Sequence, residues 1–207
     1  MSISHRTVTV ADASVHLLES GPTEGSVVLL LHGASFSSAT WVQVGTIECL
    51  AKAGFRVIAV DLPGFGKSQQ TSLSRDKWLG EFIEVTGIKE PVILTPSMSG
   101  GYAFPFATQY ADRIAGLVAV APVAIPQFQN QFGRITVPVL AIWGENDRTI
   151  PLTHADMLVK SVSDRQLVVI PGAGHAPYMS EPALFNKTLE DFVWKCFHRT
   201  SGSQSRR

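Results

Sequence analysis

The chain has 207 residues, of which 45% are hydrophobic and 16% charged. That is enough for one domain with its own core and too little for two comfortable ones. Lys+Arg (17) balance Asp+Glu (17), so there is no electrostatic case for a nucleic-acid partner or an acidic membrane surface. The one basic run, 199–207, also carries Ser and Gly. It reads as a flexible C-terminal tail behind a single domain over 1–198. Cys49 and Cys196 lack metal-ligand spacing and read as buried, reduced thiols; no metal is expected. The N-terminus does not read as a leader and no run reaches membrane-span length, so the expected setting is cytoplasmic. Nothing in the pattern specifies the oligomeric state.

Residues 6–10 and 14–18 alternate in polarity and predict an antiparallel hairpin at a sheet edge. His16 on it is expected to face solvent. Residues 27–31 (Val-Val-Leu-Leu-Leu) are continuously apolar, as in a strand covered on both faces. Residues 41–53 predict one helix, closed by Gly54. The alternation then repeats. Strands are predicted over 56–60, 91–95, 117–121, 137–143 and 166–170, and helices over 75–86, 101–110, 152–162 and 182–197. Strands alternating with helices give an α/β fold. The sheet is mostly parallel, with about eight strands and helices on both faces.

In such a sheet, ligands bind beyond the carboxyl ends of the strands. The polar and glycine-rich clusters all lie there. Strand 91–95 runs into Pro96-Ser97-Met98-Ser99-Gly100-Gly101 and then a helical pattern. A serine at such a strand-to-helix turn is a nucleophile elbow, whose neighbours must be small. Ser97 and Gly101 flank Ser99 two residues away on either side, which makes Ser99 the expected nucleophile. Asp147 and His175 come after later strands, completing the chain order Ser, acid, His. Ser99 needs a base; His175 supplies it, histidine being the side-chain type whose charge change falls between about pH 5 and 8. Asp147 would fix the imidazole tautomer. Glu145 is the rival acid. Oxyanion-hole amides are expected at Gly100, directly after the nucleophile, and at Ala34, in the loop after strand 27–31. His32 reads as a brace of that loop and Asp61 as a loop-organising carboxylate. Ser35, Phe36, Met98, Tyr102, Ile125 and Tyr178 are candidate pocket residues.

These pieces carry a resemblance. Leu31-His32-Gly33, the run from Asp61 to Ser68, the elbow, Gly144-Glu145-Asn146-Asp147 and Gly174-His175 resemble the α/β-hydrolase superfamily over residues 6–197. More narrowly, Pro96-Ser97-Met98-Ser99-Gly100, Phe36-Ser37-Ser38 and Ala121-Pro122 are similar to the α/β-hydrolase domain-containing protein 14 group. The resemblance implies an α/β-hydrolase fold with Ser99, Asp147 and His175 as the triad. It also implies small-ester hydrolysis, or removal of acetyl groups from protein lysine with coenzyme A as acyl acceptor.

Only residues 123–136 separate Pro122 from the next strand, too few for a lid domain. They can form at most one short helix or a flap. The expected activity is that of a serine hydrolase forming an acyl-enzyme. Its substrates would be small acyl esters or an acylated protein side chain, with no cofactor beyond a thiol acceptor. The alternative is a non-catalytic interaction module on the same fold. Hydride transfer is disfavoured, since no Gly-x-Gly-x-x-Gly comes after the first parallel strand.

Overall fold

The computed structural model describes residues 2–198, so the tail expected over 199–207 lies outside the described residues. Eight strands form one sheet: β1 (Ser4–Val10), β2 (Ala13–Ser20), β3 (Val27–Leu30), β4 (Arg56–Val60), β5 (Val92–Pro96), β6 (Gly116–Val120), β7 (Val139–Gly144) and β8 (Arg165–Ile170). Their spatial order is β1-β2-β4-β3-β5-β6-β7-β8. The hairpin β1–β2 is antiparallel and β2 meets β4 antiparallel; the pairs from β4 to β8 are parallel.

Continuous apolarity in the inner strands results from cover on both faces. Val28, Leu30, Leu94, Val120 and Ile142 point to one side. There they meet α1 (Ala39–Gln43), α2 (Thr46–Lys52) and α8 (Pro182–Phe197) through Trp41, Leu50 and Phe185. Leu29, Ile93, Leu117 and Ala141 point to the other side. They pack against α3 (Arg75–Thr86), α4 (Gly100–Gln109) and α6 (Thr153–Ser161) through Phe82, Phe104 and Leu158. The edge strand β8 is covered on one side only, and Leu167 and Val169 remain exposed.

Three local expectations change. The single helix over 41–53 is two, because Gly45 adopts φ +73° between them. Residues 123–136 hold α5 (Ile125–Phe128) and a 3-10 turn, Gln129–Arg134. Phe132 stacks edge-on against Phe104, 4.9 Å between centroids, so this segment is packed onto α4. Cys49 and Cys196 are half-buried rather than buried. Burial together with a hydrogen bond to Glu190 raises the Cys49 thiol to about 11.

His16 does not face solvent. It is buried, and its Nδ1–H donates to Asp61 Oδ2 at 2.9 Å while its Nε2 meets His5 Nδ1 at 3.0 Å. The antiparallel β2–β4 pairing brings it to the end of β4, next to Asp61. Asp61 also accepts from the Ser38 N–H (2.7 Å) and the Lys67 N–H (2.9 Å). One buried carboxylate therefore ties the hairpin, the loop after β3 and the loop after β4. Burial alone would raise its pKa. The bonds from Lys67, Ser38 and His16 outweigh that and hold it below the ordinary 3.8.

Asp61→Ala should lower the unfolding free energy by about 1–3 kcal/mol, since it strands buried donors, as read by urea denaturation. The lowered pKa sets the sign of the acid response. The carboxylate's contribution is full above 3.8 and is lost as pH falls through the lower folded value. The acid limb of the stability profile should flatten in the variant.

Candidate active site

β5 ends at Pro96, and the chain turns at once through a 3-10 turn, Ser97–Ser99, into α4. The apex is Ser97, which carries φ +48°. A side chain in this left-handed region is strained, and such strain concentrates at functional sites. The Ser97 carbonyl is held by the Val123 N–H at 2.9 Å.

The structure overturns Ser99 as the apex. Ser99 ends the 3-10 turn, immediately before the helix, and is fully buried. Its hydroxyl donates to the Pro96 carbonyl (2.8 Å) and accepts from Thr95 Oγ1 (3.0 Å). The hydroxyl that faces His175 belongs to Ser97, with His175 Nε2 at 2.9 Å from Ser97 Oγ. The small-x-Ser-x-small frame is thus Thr95-Pro96-Ser97-Met98-Ser99, two residues earlier than expected.

Gly100 changes role for the same reason. Its N–H donates back to the Ser97 carbonyl within the turn, so it does not face an oxyanion. It must lack a side chain because a Cβ there would stand 2.5 Å from the Val123 carbonyl oxygen. The amide directly after the apex is that of Met98.

His175 Nδ1–H donates to Asp147 Oδ2 at 2.8 Å. With that tautomer fixed by the carboxylate, Nε2 presents a lone pair to the Ser97 hydroxyl. The Asp147 side chain is 1% exposed, and its other oxygen accepts from the Thr149 and Ile150 N–H groups at 2.7 and 3.0 Å. Glu145 instead points outward and caps the Gly172 N–H. The loops after β7 and β8 are zipped by main-chain bonds, Glu145 N–H to Ile170 and Asn146 N–H to Ala173. Gly144 sits at the crossing, where a Cβ would stand 2.0 Å from the Gly174 carbonyl oxygen. Absence of a side chain there is what brings carboxylate and imidazole together.

The loop after β3 forms the facing wall. His32 donates through Nδ1 to the Gly33 carbonyl, and its Nε2 accepts from the Leu62 N–H at 2.9 Å. Both ring nitrogens are spent on main chain, and burial holds its pKa down, so it stays neutral. Ala34 and Ser35 are exposed at the rim, and Phe36 and Met98 are half-buried. Tyr178 lies on α7 (Pro177–Ser180), a short helix with no counterpart among the elements predicted from sequence. Two pocket candidates serve the core instead. Tyr102 packs edge-on against Trp78 under the Arg75 guanidinium, joining α4 to α3. Ile125 is fully buried in the same cluster. Among the described residues, no group of three or more His, Cys, Asp or Glu side chains could hold a metal ion, and no helix is long and apolar enough to cross a membrane.

Loops after β5, β7 and β8 delivering a serine, an acid and a histidine in that chain order are the arrangement of α/β hydrolases. Residues 26–129 and 123–182 match the alpha/beta hydrolase fold family. The chain belongs to that family and, within it, to the ABHD14 group. Protein ABHD14A of Danio rerio is 38% identical over 174 residues, covering 81% of this chain and 64% of its own length. The chain thus spans just under two thirds of that relative. "Putative protein-lysine deacylase ABHD14B" of Rattus norvegicus is 32% identical over 206 residues, covering 93% of this chain and 97% of its own. In three dimensions, a predicted CIB-like hydrolase from Thermoplasma acidophilum superposes with a TM-score of 0.89. It is 25% identical, covering 93% of this chain and 98% of that one.

Gly144→Ala should push the two loops apart. The expected outcome is a stability loss of about 1–3 kcal/mol, the usual cost of overpacking, read by thermal melting. Proton NMR should show the downfield His175 Nδ1–H signal lost with it; an unchanged signal would mean the loops absorb the methyl elsewhere.

Proposed function

We propose that the protein is a serine hydrolase that takes a small acyl group onto Ser97 and passes it to water, acting on acyl esters and on acylated lysine side chains. The observation that carries this reading is the chain of two hydrogen bonds from Asp147 through His175 to Ser97. Ser97 Oγ adds to the acyl carbon as its proton moves to His175 Nε2. The carbonyl electron pair moves onto oxygen, where the Ala34 and Met98 amides are the donors suited to receive it. Asp147 stabilises the imidazolium. Collapse expels the alcohol or amine, which leaves with the proton from His175. Water then repeats the sequence on the acyl-enzyme and frees Ser97.

The substrate class is supported by two things. The rat relative carries the name of a protein-lysine deacylase. Residues 123–136 pack onto α4 without forming a lid, which suits an acyl group borne on a bulky carrier and gives little apolar wall for a long chain. The half-buried Cys49 thiol fits a reducing, cytoplasmic setting.

A fluorophosphonate probe should label the wild type and Ser99→Ala, and fail on Ser97→Ala with the fold intact. Ser99→Ala should cost about 1–3 kcal/mol, since it removes two internal hydrogen bonds and strands the buried Thr95 hydroxyl. Labelling of Ser97→Ala but not Ser99→Ala would return the nucleophile to Ser99. No labelling of folded wild type would favour an interaction module. Asp147→Asn should reduce ester turnover by about 10⁴-fold; a much smaller drop would mean the imidazole is oriented by something else.

A further inference from the structure

Tyr178 stands three residues after His175 and is 2% exposed. Its ring is fixed by Phe36 (5.7 Å between centroids), Trp41 (4.9 Å) and Phe185 (5.7 Å). Aromatic packing of this kind accounts for the ring and says nothing of the oxygen. A buried phenol normally spends its O–H on a partner. Among the described residues, burial is the one influence on its acidity and no hydrogen bond contributes. It raises the pKa, so the group keeps its proton and remains a donor.

Where that oxygen lies is fixed by Gly33. A methyl group built on Gly33 would stand 3.5 Å from Ser97 Cβ, 3.5 Å from Phe36 Cδ2 and 3.7 Å from Tyr178 Oη. All three are ordinary van der Waals separations, so a methyl-sized gap exists there. One wall is the serine and another is the Tyr178 hydroxyl oxygen. Gly33 immediately precedes Ala34, whose amide faces the same niche in the proposed chemistry. An acyl group attached to Ser97 would carry its carbonyl oxygen two bonds from Ser97 Oγ, close enough to enter this gap.

We propose that the Tyr178 hydroxyl is a catalytic residue, donating a hydrogen bond to the acyl oxygen of the substrate as negative charge develops on it. The assignment rests on Ser97 being the nucleophile. As Ser97 Oγ bonds to the carbon and its proton passes to His175, the carbonyl electron pair settles on oxygen. Tyr178 O–H then donates to that oxygen and keeps its proton, so no further acid or base is consumed. A donor buried in an apolar wall is worth more to a developing charge than the same donor in water. The bond is also absent before substrate arrives, which confines its benefit to the bound and reacting states.

Tyr178→Phe removes the oxygen and keeps the ring, so thermal melting should be unchanged. With p-nitrophenyl acetate, kcat should fall by about 100-fold, the scale of losing one oxyanion donor, and KM should hardly move. Affinity for a trifluoromethyl ketone, whose serine adduct carries the same oxyanion, should fall in parallel with kcat/KM. A merely structural tyrosine would move neither, since its packing survives in the variant. Unchanged kcat and unchanged ketone affinity in Tyr178→Phe, with Ser97→Ala inactive, overturn the role of Tyr178 alone. Turnover retained by Ser97→Ala overturns the hydrolase reading itself.

Discussion

The Asp147–His175 pair depends on a place where nothing can be inserted. Two loops cross at Gly144, with the carbonyls of Ala173 and Gly174 lying against its α-carbon. Main-chain bonds from Glu145 and Asn146 hold the crossing shut. Only then can a carboxylate 1% exposed reach an imidazole at the end of the next strand. The second oxygen of the aspartate is occupied by two N–H groups of its own loop. A buried charge without such partners would cost several kcal/mol, on the order of the usual desolvation penalty. Position and electrostatics are therefore one device: the turn that satisfies Asp147 also aims it.

The opposite wall is built on the same plan with different parts. Asp61 and His32 are both buried, and both spend their polar atoms mainly on main-chain groups of the loops after β3 and β4. The hairpin contributes His16 to this knot. The N-terminal strands, distant in sequence from the serine, thereby help to set the loop that faces it. The parallel sheet supplies a rigid edge, and each loop is pinned to that edge by its own buried polar residue.

Much of this is legible in the chain. Both-face burial demands continuous apolar runs, so the inner strands announce themselves, and the polar residues at the carboxyl end of each run mark the ligand edge. Asp147 and His175 stand out because turn-forming residues surround them. The serine is misplaced by sequence because two overlapping frames satisfy the same rule: Thr95-x-Ser97-x-Ser99 and Ser97-x-Ser99-x-Gly101. Glycine favours the second, although the first sits closer to the strand end, where the apex of a sharp turn belongs. The distinction is one of backbone torsion, φ +48° at Ser97, which side-chain identity does not encode. His16 escapes because alternation on an edge hairpin reports local exposure only; the aspartate that buries it comes from the end of β4, far along the chain. Proximity in sequence assigns Tyr102 and Ile125 to a pocket, whereas helix α4 turns Tyr102 toward Trp78.

The loop after β3 divides sharply between what is anchored and what is not. His32 and Ser38 are locked at its ends, while Ala34 and Ser35 project into solvent between them. Side chains at those two positions can be exchanged without loosening either post. A change of side chain at this rim would therefore alter the outer surface of the loop and leave the buried posts that carry it in place.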